Sequence, residues 1–578
     1  MNKNIINFMF LLLSFFLVFN NIPKIIQFNF FGGEFGNKLS VYLIFLGFIY
    51  TGYCQYKYKN IFKNFNIFLK FISIYSLITF ISLIIGLYNF PYYDLVTNSP
   101  VAKIEKLSYA IDIFNNFGIN IDTKSFTVIW FIVRAIRGVL FEALYAFCGA
   151  YMIYCWYYDD WRTAFYILVK GVLLSLLILF SYSFVEIFYL AGNKNAKNIL
   201  EIITPYFHII ASGGSAWPPL LWKNQLRSVF AEPSYYGIYF AFAMPILWYV
   251  FFVTKSNVFK LFSVIGIVFF TFALFLTQAR TAVALFIGEI VLLFIIILIL
   301  RNKAMLLKYI ALILCSVFAF GLSNMFILNY MMPEAIVSQK TNENTNNLKK
   351  ESSELKIGDN KVQPIISKKI NSTHNESVSK DIKTKKNNVN ILNKKQINKY
   401  FEKNLFSLAS LEKRSNNTRY SNMISDLKIG MDYPFFGVGS SLRIAYKEDY
   451  FPEMARNNKE IKRWFAEFRE KGLLSTGFPR IEYTSRLAEN GILGLIIFLI
   501  PPFYLLKNLY CKITNKIYGI HEKVPVVFFV ISFMGIIASG LGDSINITYC
   551  YWVLLGLGYA ICFGKTNSKE REMKQNHG

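Results

Sequence analysis

Apolar residues in this chain fall in repeated blocks, and charged residues are largely confined to the stretches between them. Each block is long enough to cross a bilayer, which takes about 20 residues of helix. About twelve such blocks are legible, near 5–20, 40–56, 71–90, 138–158, 164–192, 234–253, 261–277, 281–300, 308–330, 485–506, 524–541 and 546–563. Within hydrocarbon a segment must satisfy its own backbone hydrogen bonds, so the pattern predicts an all-α polytopic integral membrane protein. The first block follows Lys3 as a signal peptide would, but no small-residue cleavage site comes after it, so it reads as an anchor.

The polar stretches set the orientation. Lys57, Lys59 and Lys63 occupy one short loop, Lys255 and Lys260 a second, and Arg301, Lys303 and Lys308 a third. Lys507, Lys512, Lys516 and Lys523 fill a fourth, and Lys565, Lys569, Arg571 and Lys574 mark the tail at 564–578. Threading twelve spans puts all of them on one side, which the positive-inside rule makes the cytoplasm. Asp159 and Asp160 beside Arg162 are the weak vote. Both termini are then cytoplasmic, and the loops at 91–137, 193–233 and 331–484 face outward. Spans one to nine occupy 1–330 and spans ten to twelve occupy 485–563. The large loop between them has two parts. Residues 338–400 are rich in Asn, Lys and Ser with few large apolar side chains, a composition that predicts disorder. Residues 401–484 regain Phe, Trp, Tyr and Gly, and are expected to be ordered.

Composition sharpens this in three ways. Hydrophobic residues make up 54% of the 578, aromatics 18%, and mean hydropathy is +0.38, a balance that soluble proteins of this size seldom reach. The net charge of +26 raises nucleic acid as a partner, but the lysines lie in loops and the insert with no basic, aromatic-interleaved domain, so that partner is excluded. All seven cysteines lie in or beside apolar blocks and the four histidines are scattered, which predicts no disulfide framework and no metal site.

Candidate chemistry gathers at the outward ends of the spans. Arg134 and Arg137 are three apart in "FIVRAIRGVLF", on one helical face. Arg227 opens "RSVFAEPSYYG", Arg280 lies in "QARTA" at an external turn, and Arg480 opens "RIEYTSRLAENGILG" where the chain re-enters the membrane. A single arginine there can simply snorkel to headgroups. Several converging on one side suit phosphate oxygens, which the planar guanidinium fork grips in pairs. Pro233 and Ser234 suit a helix start, and the helix dipole favours Glu232 just before them. Glu232 has an alternative role as a general base held near arginines. "DYPFFGVGSS" at 432–441 reads by itself as a Gly-rich turn, and Glu489 as part of a helix start.

The motifs "RSVFAEPSYYG", "QARTA", "DYPFFGVGSS" and "RIEYTSRLAENGILG", in that chain order and on that side, resemble the O-antigen polymerase and ligase superfamily of bacterial envelope polysaccharide synthesis. The Glu232–Pro233–Ser234 tripeptide, and the ten residues between Arg480 and Gly491, are more similar to the Wzy-type polymerases than to the ligases, which typically carry a histidine where Arg480 stands. Arg227 to Gly237 is one residue short of that spacing. The resemblance implies a glycosyltransferase in the bacterial cytoplasmic membrane, its active site facing outward. It joins undecaprenyl-diphosphate-linked oligosaccharide repeat units into O-antigen, capsular or exopolysaccharide chains. It implies no cofactor, membrane lipids as surroundings, and a flippase and a chain-length regulator as partners. Arg227, Arg280 and Arg480, with Arg134 and Arg137 in reserve, are the expected diphosphate contacts, and Glu232 with Arg227 and Arg480 the catalytic set. Two rivals stand beside this reading: a ligase passing finished glycan to another acceptor, and a transporter or flippase, for which the intramembrane Glu289 speaks.

Overall fold

A computed structural model of the chain describes residues 1–27, 36–59, 61–94, 111–210, 218–331, 414–471 and 478–565. The insert expected at 338–400, the first part of the segment expected to be ordered and most of the tail lie outside the described residues. The chain divides into two compact units, 1–325 with 411–578, and 326–410. Of the second, the described residues are 326–331, where a helix passes into a π turn.

Among the described residues every regular element is helical. In chain order these are α1 (Lys3–Phe16), α2 (Leu39–Tyr58), α3 (Phe65–Tyr88), α4 (Thr123–Leu144), α5 (Met152–Trp156) and α6 (Trp161–Leu190). They continue with α7 (Lys194–Phe207), α8 (Pro233–Val253), α9 (Asn257–Leu276), α10 (Arg280–Leu300) and α11 (Lys303–Phe326). Then come α12 (Arg414–Asp432), α13 (Arg443–Tyr450), α14 (Lys459–Lys471), α15 (Glu482–Thr514), α16 (Ile520–Ser539) and α17 (Cys550–Phe563). Nine of the described helices are long and apolar enough to span a membrane. Helices also stand at the other three predicted positions, but with different form. The helices α1 and α17 have 14 residues each, and the block at 138–158 is the second half of a longer run, α4 to α5, interrupted by a π-helical stretch at Tyr145–Tyr151.

The helix α8 is the centre of the bundle: Tyr236 and the residues from Tyr239 to Ala243 are fully buried. Its apolar residues lie all round, as expected for a helix surrounded by protein. It packs against α9, α10 and α16. Close approach to α10 occurs at its first turn, where a Cβ on Gly237 would lie 2.2 Å from Ala282 Cβ. The glycine of one motif and the second alanine of "QARTA" are therefore one contact.

The helix α15 begins as expected but breaks at Gly491, with φ 64° and ψ −170°. A break at membrane depth frees backbone groups that lipid cannot satisfy. The segment "DYPFFGVGSS" supplies the partners. Val438 N and Gly439 N donate to the carbonyls of Ala488 (2.9 Å) and Glu489 (2.9 Å), and Ile492 N donates to Pro434 O at 2.7 Å. From α3, Ser82 Oγ donates to Glu489 O at 2.6 Å. What reads in the sequence as a plain turn is the plug of a broken helix. Around it Leu83, Phe131, Ile429, Leu442 and Ala488 form a buried apolar cluster that ties α12 and α13 to α3, α4 and α15.

Candidate active site

The residues that could carry chemistry collect at one end of the bundle, in three linked groups. The first is built on the start of α8. Glu232 holds the N-cap position with extended backbone, yet its side chain makes no capping hydrogen bond. It instead shares its surroundings with Asp543, which follows α16, and Arg419 of α12. Burial pushes the Glu232 carboxyl above its ordinary range, Asp543 pushes it further, and Arg419 opposes both. Burial raises Asp543 as well, again against Arg419, whose Nη1 lies 3.2 Å from Asp543 Oδ2. Asp543 and Arg419 thus act on the Glu232 carboxyl with opposite sign, the like charge disfavouring its ionisation and the guanidinium favouring it. The start of α10 borders it: a Cβ on Gly542 would lie 3.4 Å from Thr281 Cγ2 and 3.8 Å from Arg419 Nη1. Arg280 stands next to Thr281 at the first position of α10, partly exposed and with its own electrostatic partners.

The second group runs from Arg480 through Glu489 to the plug. Arg480 Nη2 is 3.5 Å from Glu489 Oε2, and its Nε has no hydrogen-bond partner among the described residues. The side chain keeps 39% of its surface exposed, so the guanidinium has donors to offer. Burial works against its charge, but Glu489 and Glu482 outweigh that and hold Arg480 above the ordinary arginine range. Beyond Glu489, Arg443 Nε lies 3.4 Å away and Arg443 Nη1 donates to both oxygens of Asp426 at 2.9 and 3.0 Å. Lys447 Nζ also reaches Asp426 at 2.5 Å and bonds Asn422 Oδ1 and Ser425 Oγ. Burial opposes ionisation of Asp426, but Arg443 and then Lys447 hold its carboxyl below the usual range. Lys447 is pushed down to about 7, chiefly by burial, with Asp426 pulling the other way.

The third group lies deeper on α15. Arg486 is fully buried: its Nε donates to Glu482 Oε1 at 2.6 Å, Nη2 to Glu142 Oε1 at 2.6 Å, and Nη1 to the Tyr75 hydroxyl. The guanidinium carbon sits 3.7 Å from the centre of the Phe498 ring, a desolvated cation–π contact. Glu482 also accepts from Ser544 Oγ at 2.7 Å, and Glu482 N donates to Asp543 O at 3.3 Å. The 543–544 backbone therefore joins the carboxyl pair of the first group to the arginines of the other two.

The remaining predicted arginines lie elsewhere. Arg227 is 1% exposed, and its guanidinium turns inward onto the carbonyls of Ala231 (3.2 Å) and Leu220 (2.5 Å). Its backbone N and that of Ser228 donate to Glu186 of α6. Leu226 N bonds Leu276 O and Gln278 Nε2 bonds Asn224 O, so the loop before α8 and the turn before α10 are sewn together. Arg134 is partly buried on α4, while Arg137 is exposed and lies 5.0 Å from the Phe141 ring centre on the same helix. Sequence reasoning missed Arg419, Asp543, Arg443 and Arg486. Only Arg486 had a local signal: Glu482, Arg486 and Glu489 follow one another at helical spacings of four and three within a motif already singled out. No group of three His, Cys, Asp or Glu side chains among the described residues is arranged to hold a metal ion.

Residues 265–499 match a family model described as O-antigen ligase. Over that stretch, less than half of its length, the chain is similar to the O-antigen ligase and polymerase superfamily. No curated protein matches it. The described helices are those of a multi-pass membrane protein, and the family that the chain resembles is one of membrane glycan-transferring enzymes. The matched stretch holds Arg280, Arg419, Arg443, Arg480 and Arg486. Glu232 precedes it and Asp543 follows it, so the carboxyl pair is brought to the matched arginines by the packing of α8 and α16 on α10.

Proposed function

We propose that this enzyme polymerises lipid-diphosphate-linked oligosaccharide repeat units at the outward face of the cytoplasmic membrane, with both of its termini in the cytoplasm. The observation that carries the reading is Asp543 paired with Arg419 and tied through the 543–544 backbone to the segment of the half-exposed Arg480, with Glu232 near enough to feel the charges of both Asp543 and Arg419. Glycosyl transfer needs a base at one atom and cations at another. The acceptor hydroxyl gives its proton to Glu232, and its oxygen forms a bond to the donor's anomeric carbon. The bond from that carbon to the diphosphate oxygen breaks, and the electron pair leaves with the lipid diphosphate. Charge grows on the leaving oxygens as that bond lengthens, so cations held nearby favour the transition state over the bound substrate.

Arg480, Arg280 and Arg419 suit the diphosphate, because each lies at that end and Arg480 has unused donors. Arg227 suits a different task, since its guanidinium is already spent on loop carbonyls: it shapes the loop that presents Glu232. Undecaprenyl diphosphate as the carrier, and a flippase and chain-length regulator as partners, follow from the resemblance. The ligase reading keeps one observation in its favour, the description of the matched family. Deleting the gene and running surface glycan on a gel separates the two. Loss of long chains with single repeat units still attached is the outcome expected of a polymerase. Full-length chains accumulating on the carrier lipid, unattached to their final acceptor, would instead establish the ligase.

A further inference from the structure

Below the carboxyl pair a cavity of about 450 Å³ lies between α8, α10 and α16. Its mouth is formed by Ser234, Thr281 and Asp543, and its walls by small or aliphatic residues such as Ala284, Leu285 and Ala538. At its inner end is Glu289, 2% exposed, with neither carboxyl oxygen hydrogen-bonded to any group among the described residues. Gly535 of α16 makes the room: a Cβ there would lie 2.3 Å from Glu289 Oε1. Along α10, Glu289 lies about 13 Å from Arg280, close to the middle of a hydrocarbon layer about 30 Å thick.

An acidic side chain at that depth is costly, and it persists where it faces a cavity or meets a partner. Here it faces the cavity and has no hydrogen-bond partner among the described residues, while the glycan chemistry above uses Asp543 at the mouth but not Glu289. The chemistry that would satisfy the site is specific. Two carboxylate oxygens call for N–H donors, and a positive charge makes those bonds strong. The apolar walls call for a hydrocarbon body and offer too few oxygens to replace the hydration shell of a metal cation.

We propose that this cavity binds a lipophilic primary amine as its ammonium ion, with Glu289 as the counter-ion and the hydrocarbon body along α8 and α16. The site shares Asp543 at its mouth with the proposed glycan site, but its occupancy is read by binding alone. The full-length protein in nanodiscs is treated with dicyclohexylcarbodiimide, a reagent that modifies carboxyls reached through apolar surroundings, and peptide mass spectrometry locates the adduct. Glu289 is modified, and n-octylamine lowers the summed yield of carbodiimide adduct and octylamide at Glu289 at least fivefold, while octan-1-ol at the same membrane concentration leaves the yield unchanged. In thermal melts octylamine raises the midpoint of the wild type by several degrees more than that of Glu289→Gln. Equal protection by the alcohol would make the site one for neutral hydroxyl compounds and overturn the ammonium assignment. Absence of modification at Glu289, or equal melting shifts in wild type and Glu289→Gln, would overturn the site itself.

Discussion

At the scale of single residues the decisive contrast is between Arg227 and Arg480. Both stand before a span in similar sequence settings, yet one donates inward to carbonyls and the other keeps an unpaired Nε and an exposed edge. Arg480→Ala is therefore expected to lower chain growth about 10²–10³-fold, the usual loss for one donor aimed at developing charge. Arg480→Lys should recover only part of it, because the ammonium keeps the charge and loses the fork. Assay of transfer with normalised membrane levels of the protein checks both, and wild-type rates from the alanine variant would remove Arg480 from the site. Glu232 yields a second expectation, through pH. Its carboxyl is raised by burial and by Asp543 and lowered by Arg419, and a base works only after losing its proton. Transfer should therefore rise with pH through the Glu232 titration. Asp543→Asn removes the like charge and frees Arg419 to act on Glu232 alone, so the acidic limb should move to lower pH. A limb that stays in place in Asp543→Asn, or moves upward, would mean that another group is the base.

At the scale of elements the broken helix α15 organises the rest. Its two halves meet at a residue whose positive φ favours glycine, and the plug at 434–439 meets every backbone group named there. The same plug carries α12 and α13, and so holds Arg419 and Arg443 against the membrane helices. A Cβ on Gly491 would lie 2.2 Å from Phe435 O, so Gly491→Ala must push the plug away. The expected result is a lowered melting midpoint, faster protease cleavage between 432 and 443, and loss of transfer. Gly321→Ala, where a Cβ meets nothing within 4 Å, is the control and should behave as wild type. Unchanged proteolysis in Gly491→Ala would show that the break does not depend on the plug.

At the scale of the whole molecule the lysine asymmetry and the position of the ionic groups make one claim. The arginine and carboxyl groups occupy the end of the bundle opposite the short basic loops, where a lipid diphosphate delivered to the outer leaflet would lie. Cysteines placed at Ser352 and Ser568 test the orientation with a membrane-impermeant maleimide on intact cells. Ser352→Cys should be labelled and Ser568→Cys should not. Labelling of the tail from outside would invert the topology and put the candidate site on the wrong face.

Hydrophobic periodicity by itself determined the membrane class and the helical architecture, and it located a helix at every expected block, because a bilayer admits few solutions for a chain of apolar segments. It left the ends and internal breaks of those helices open. The block expected at 485–506 is the middle of Glu482–Thr514, and its break at Gly491 depends on a segment some fifty residues upstream. The end of the bundle at which we propose the chemistry was also marked in the sequence, since arginines beside spans stand out against apolar residues. Which of them face a ligand was not. Arg227 and Arg480 differ in the carbonyls and carboxylates that tertiary packing brings to them. Arg419 and Asp543 join Glu232 only when α8, α12 and α16 converge. A pairing between residues hundreds of positions apart leaves no trace in the local pattern, and only the packed bundle decides it.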